Sequence, residues 1–235
     1  MLNRRSLKKI NITTRNALCV PLRTKDKTIG VIEVINSLHK DGYVEDDLTL
    51  LTILADYAAI AINNRDLYRQ ARFKVKQLSA IYNISQIAHH TDSIQVLQEK
   101  TIKIINDGLI VDKISIVLFD EKIKEFKFAA ASGIPEHVIR DGKITLQNNV
   151  FSYILNNGFG VYSRDIDSDI RFTANKKLRY SSKSFISVPI LNKEKIIGFI
   201  SVTEQKENKK FSRDDLNYME TISQEFNETY QHLIL

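Results

Sequence analysis

The side chains able to do chemistry are few: Cys19, the neighbouring His89 and His90, His137, and Asp165, Asp167 and Asp169. Cys19 is the only cysteine among 235 residues, so the chain has no internal disulfide, no thiolate zinc site and no resolving partner for thiol redox chemistry. It stands in Leu18-Cys19-Val20, an apolar run that reads as a strand with the thiol buried. His89 and His90 are consecutive and point about 100° apart around a helix, so they cannot share a metal; they and His137 read as surface or helix-end positions. The three aspartates alternate within a loop but lack the later ligands and the turn glycine of a calcium loop, and read as solvated. There is no phosphate-cradling Gly-Lys loop, no nucleophile elbow and no histidine pair at i, i+4. No catalytic residue, metal site or cofactor emerges, and the chain reads as a non-enzyme.

What positions such side chains must be an ordered fold. Hydrophobic residues make up 43% and charged residues 26%, with only 8 Gly and 3 Pro, a globular composition. At about 150 residues per domain the chain holds more than one domain's worth of sequence. No apolar run approaches the roughly 18 to 20 residues of a membrane span, and the N-terminus lacks a signal peptide's apolar core, so neither a membrane partner nor secretion is expected, and the cytoplasm is the expected location. The net charge of +6 is spread evenly along the chain with no basic arm, which argues against nucleic acid.

The organisation follows from an internal repeat. Residues 16–59 align without a gap on residues 184–227 at a constant offset of 168, which pairs Val20 with Val188, Pro21 with Pro189, Ile29 with Ile197, Gly30 with Gly198, Val34 with Val202 and Asp46-Asp47-Leu48 with Asp214-Asp215-Leu216. Each copy reads as a hairpin with a polar tip, a loop and a helix whose first turn is acidic. Ahead of the second copy, Ile94, Leu97, Thr101 and Ile104 keep helical spacing, Ile114 to Phe119 reads as a strand, Phe126 and Phe128 alternate as in a half-buried strand, and Val150, Ile154 and Leu155 mark a short helix before an extended run into Asp165. Between the copies a stretch without Gly or Pro runs from Tyr43 to Asp107. Within it Leu67, Ala71, Val75, Leu78 and Tyr82 step by three and four, the spacing of a coiled-coil seam, which predicts a parallel homodimer through this helix.

Two sets of segments resemble a GAF domain. Leu18-Cys19-Val20-Pro21-Leu22, Lys27 to Asn36 and Tyr43 to Leu48 are similar to the C-terminal half of one; Val161 to Asp165, Ser187 to Ile190, Ile197 to Val202 and Phe211 to Leu216 belong to what resembles a complete one. The resemblance implies an α+β fold, a GAF-type central antiparallel β-sheet flanked by helices, with a long connecting helix. It divides the chain into a truncated GAF domain over 1–65, a helical linker over 66–90 and a complete GAF domain over 91–235. The first copy would lack roughly its first hundred residues by the repeat offset, whether cut or begun internally, and should leave apolar strand surface in need of a cover. Residues 1–14, with Arg4, Arg5, Lys8 and Lys9, would fray or stand in for a missing strand.

The family's cyclic-nucleotide branch carries an Asn-Lys pair and a later Phe with Asp-Glu; here Asn36 precedes Ser37, Thr203-Glu204 stands in the second copy, and Asp47 and Asp215 are each followed by Leu. Cyclic nucleotides, covalent bilins and the cysteine cycle of methionine-sulfoxide reduction are therefore disfavoured. The resemblance places a ligand pocket among Phe128, Ala130, Phe151, Tyr162, Asp165, Phe172, Ser187, Ser201 and Thr203, with Asp165 and Thr203 as the first polar contacts. It implies a non-catalytic sensory module that binds a small molecule, dimerises, or both, to control a signalling output. The alternative is a dimerisation scaffold whose pocket is filled by its own aromatic side chains.

Overall fold

A computed structural model of the protein describes residues 13–90, 93–141, 144, 150–172, 184–205 and 210–234. The expectations for Arg4, Arg5, Lys8 and Lys9 lie outside them, and the side chains of His89, His90 and Glu204 are likewise not described. The chain forms two units, Met1–Arg72 and Phe73–Leu235.

In the first unit, strands β1 (Ala17–Arg23) and β2 (Thr28–Ile35) pair antiparallel, turning where Thr24 N–H donates to the Lys27 carbonyl at 2.8 Å. Helix α1 (Glu45–His90) begins with three acidic residues in its first turn, which favours the helix dipole, and the Asp47 carboxylate accepts the Val44 N–H at 3.0 Å. The hairpin presents Val20, Leu18, Leu22, Ile32 and Val34 to Leu51 and Ala55 of α1. Strand alternation then turns Cys19 to the opposite face, where it is exposed. The buried thiol read from the apolar run is thus corrected: among the described residues, Val20 takes the one covered face of this two-stranded sheet.

In the second unit, helix α2 (Ile94–Leu109) is capped by the Ser93 hydroxyl, which accepts the Val96 N–H. Strands β3 (Val111–Asp120) and β4 (Glu125–Ser132), helices α3 (Glu136–Asp141) and α4 (Val150–Asn157), strands β5 (Val161–Ser163), β6 (Phe185–Asn192) and β7 (Lys195–Gln205), and helix α5 (Arg213–Ile234) follow. The strands form one antiparallel sheet in the order β4-β3-β7-β6-β5. Alternation gives the sheet two apolar faces. Ile114, Ile116, Ile186, Val188, Ile200 and Val202 pack with Leu97 and Ile105 of α2, Met219, Ile222 and Phe226 of α5, and Ala80, Ile84 and Ile87 of α1. Val117, Phe126, Phe185 and Phe199 pack on the other face with Val150 and Ile154 of α4.

The repeat is structural as well as sequential. Helices α1 and α5 start 168 residues apart, at Glu45 and Arg213; Cys19 pairs with Glu33 as Ser187 pairs with Ser201, and a register irregularity falls at Leu22/Arg23 and again at Ile190/Leu191. The Asp215 carboxylate accepts the Ser212 N–H at 2.9 Å, as Asp47 does that of Val44.

The Gly- and Pro-free stretch holds two helices, because Ser93 starts a new one. The segment read as a linker over 66–90 packs into the second unit from Phe73 onward, with Ala80, Ile84 and Ile87 in its core. Among the described residues no helix is long and apolar enough to cross a membrane.

Candidate functional site

Between the sheet and helices α3 and α4 the second unit holds a cavity of about 320 Å³, within the size of small-molecule sites. Its floor is the face of β3, β7 and β6 turned away from the long helices: Lys113 and Ser115, Ser201 and Thr203, Phe185 and Ser187. The register sets these in two rows, Lys113 opposite Thr203 opposite Phe185, and Ser115 opposite Ser201 opposite Ser187. The walls are Phe128 of β4, Ile134 and Pro135 after it, Val138 of α3, and Val150 and Phe151 of α4. Ser187 Oγ and Ser201 Oγ share a hydrogen bond of 2.8 Å. Among the described residues no Asp or Glu lines the cavity, and Lys113 is the one charged side chain in the lining.

The structure brings together Phe128, Phe151, Ser187, Ser201 and Thr203 of the residues expected at the pocket, and places four elsewhere. Ala130 packs on the helix side of the sheet. The pairing passes from Ile116 opposite Ala130 to Val117 opposite Phe128, so Ala129 is a one-residue bulge that reverses the alternation. Tyr162 also lies on the helix side, because its neighbours Val161 and Ser163 take the other. Asp165 folds a turn: its carboxylate accepts the Asp167 N–H at 3.1 Å and its carbonyl the Ser168 N–H at 3.3 Å. Phe172 is core, edge-on to Tyr153 and Phe185.

Among the described lining residues, those missed by the sequence reading are Lys113, Ile114, Ser115, Ile134, Pro135, Val138, Val150, Phe185 and Ile186. Gly133 sits at φ +70°, and a Cβ there would lie 1.8 Å from the Asp112 carbonyl oxygen. This glycine swings the chain over the end of the sheet and makes a wall of Ile134 and Pro135. The Gly-Ile-Pro break was visible in the sequence; its direction was not.

Beside the cavity, Arg171 donates to both Asp169 oxygens and to the Tyr162 carbonyl, and that pairing holds the Asp169 carboxyl below its ordinary range. Among the described residues no group of three or more His, Cys, Asp and Glu is placed to hold a metal. The Asn36 carboxamide, at the position of the nucleotide-binding family's Asn, accepts the Arg15 N–H at 2.8 Å and donates to the Thr13 carbonyl at 3.0 Å. It serves the fold of the first unit.

Behind the floor, polar contacts tie the sheet to the helices. Ser223 Oγ donates to the Pro189 carbonyl at 2.6 Å, and the Tyr218 hydroxyl to the Ile104 carbonyl at 3.3 Å. Gln77 Nε2 of α1 donates to Thr221 Oγ1 at 3.0 Å. The Lys76 ammonium lies 4.1 Å from the Tyr218 ring centre, its pKa lowered by burial against the pull of Asp215. The opposite face of α1 is bare: Leu67, Val75, Leu78 and Tyr82 are 55 to 67% exposed, and Ala71 is exposed.

Known proteins share both the sequence and the fold. The chain is 20% identical over 225 residues to dual 3',5'-cyclic-AMP and -GMP phosphodiesterase 11 of Drosophila melanogaster, and 23% over 229 residues to phosphodiesterase 11A of Takifugu rubripes. These alignments cover 89% and 88% of this chain and 16% and 25% of those proteins, so the chain spans at most a quarter of either relative. The GAF domain of Acinetobacter phosphoenolpyruvate-protein phosphotransferase superposes with a TM-score of 0.55 at 20% identity, over 66% of this chain and 93% of that one. GAF domain models match residues 4–64 and 88–229. With more than half its length matched by the second model alone and the sheet order and repeat described above, the chain belongs to the GAF domain family.

Proposed function

We propose that this chain is a non-catalytic regulatory GAF module of the cytoplasm, in which a small molecule in the cavity of the second unit biases a homodimer formed through α1. The observation that carries the reading is the cavity itself: about 320 Å³ stays open although Phe128, Phe151 and Phe185 could have filled it, which speaks against a scaffold with a collapsed pocket. The bare row of Leu67, Ala71, Val75, Leu78 and Tyr82 supports the seam, because exposed apolar residues at three-four spacing are covered most simply by the same row of a second copy. Domain limits of 1–65, 66–90 and 91–235 remain the functional division we favour, with 66–90 serving both as seam and, on its other face, as part of the second unit.

A route between the two sites supports the mechanism. Ser187 and Val188 are neighbours on β6, one facing the cavity and the other the helices. A change in β6 is felt by α5 through Ser223 and by α1 through Lys76 and Gln77. Ligand need only favour one of two packings of α1 and α5 against the sheet, and its leverage equals its difference in affinity for the two.

Native mass spectrometry of the freshly purified protein tests this reading. A dimer carrying a reproducible mass excess is expected; a monomer of bare polypeptide mass, with no adduct under any purification condition, would overturn it.

A further inference from the structure

One row of the cavity floor, the serine row, is polar throughout. Ser115, Ser201 and Ser187 lie side by side on β3, β7 and β6, all facing the cavity. Ser201 and Ser187 share one hydrogen bond at 2.8 Å, which leaves one of the two O–H donors to face the cavity. Ser115 does not share in this: its hydroxyl makes no hydrogen bond with the described residues and opens to the cavity rather than being sealed in the core. A ligand that fills the cavity shuts this hydroxyl off from water, where left unpaired it costs about 1 to 3 kcal/mol, so a ligand that pairs with it binds more tightly than one that does not.

The rest of the lining limits what that ligand is. Phe128, Phe151 and Phe185 offer rings, which suit a flat apolar body. With no carboxylate among the described lining residues, a cation would be desolvated there without compensation. Lys113 has an interaction of its own and stands in the other row of the floor, opposite Thr203, so the serine row itself carries no charge.

Resting on the reading of this cavity as a small-molecule site, we propose that it takes an uncharged molecule with a flat, mainly apolar body and one hydroxyl-type group, which both donates and accepts, seated on Ser115 and the Ser187–Ser201 couple. An apolar ligand of the same shape leaves Ser115 unpaired and binds more weakly.

Three probes of matched shape test this by titration of the whole chain, followed by calorimetry and by methyl shifts in NMR: 4-ethylphenol, 4-ethyltoluene and 4-ethylbenzoate. The phenol is expected to bind about tenfold more tightly than the toluene, and 4-ethylbenzoate more weakly than the phenol. Ser115→Ala should cut the phenol's advantage at least about threefold without weakening 4-ethyltoluene binding. Ser201→Ala, which also breaks the serine couple, should erode the same preference, and serves if Ser115→Ala does not fold. Equal binding of phenol and toluene, untouched by either substitution, would overturn this inference and leave the cavity a small-molecule site. Preference for 4-ethylbenzoate would overturn the uncharged class. Failure of all three probes to bind would bring down both this inference and the reading of the cavity on which it rests.

Discussion

At the residue scale the repeat supplies its own control, because the same residue type stands in two environments. A Cβ on Gly198 would lie 2.3 Å from the Val117 carbonyl oxygen, whereas one on Gly30 would meet only the Leu22 Cδ1 at 3.3 Å. Backbone cannot give way as a side-chain tip can. Gly198→Ala is therefore expected to lower the denaturation midpoint by the equivalent of about 2 to 3 kcal/mol, and Gly30→Ala to cost less than about 1 kcal/mol, in paired urea titrations. Tyr218 offers a second test. Burial, with a smaller push from Asp107, raises its pKa to about 12 from 10.0. Its neutral form is the one the fold favours, so its contribution is complete below pH 10 and is lost as pH rises toward 12. Tyr218→Phe should remove part of the alkaline loss of stability between pH 10 and 12 while changing stability at pH 7 by about 1 kcal/mol or less, since the hydroxyl's one bond is 3.3 Å long.

Cys19 marks what one residue's sequence can say. An apolar neighbourhood identifies the strand, yet which face of a strand is covered depends on what lies across it, and among the described residues of the first unit only α1 does. The exposed thiol is expected to react fully with a maleimide in the native protein, read by intact mass; protection without denaturant would show that this face is covered after all.

At the element scale, much of the fold was legible. The hairpins, the helix starts and the strands of the second unit follow from alternation, capping residues and the 168-residue repeat, signals carried by neighbours in sequence. The site was less so. Pairing of Ser115 with Ser201 depends on β3 lying against β7, a contact between segments more than eighty residues apart, and Ala130 was misplaced by a single bulge residue, Ala129, that nothing in Phe128-Ala129-Ala130 announces. Helix α1 shows the two kinds of apolar residue together. Ile84 is fully buried and Leu78 is 63% exposed. Ile84→Ala should cost about 2 to 5 kcal/mol of unfolding free energy. Leu78→Glu should leave the folded subunit within about 0.5 kcal/mol yet shift sedimentation toward the monomer; a dimer that survives both Leu78→Glu and Val75→Glu would place the interface elsewhere.

At the scale of the whole molecule, the cavity lies on one face of the five-stranded sheet and α1 from Phe73 onward on the other, with β6 and α5 between them. If occupancy of the cavity biases α1, as we propose, hydrogen exchange measures it directly. With the cavity saturated by 4-ethylphenol, amides of β6, of α5 around Tyr218 to Ser223 and of α1 from Phe73 to Ile87 should all change their exchange rates, while those of the β1–β2 hairpin should not. Changes confined to the strands and short helices that line the cavity, with α5 and α1 exchanging as in the free protein, would contradict the account.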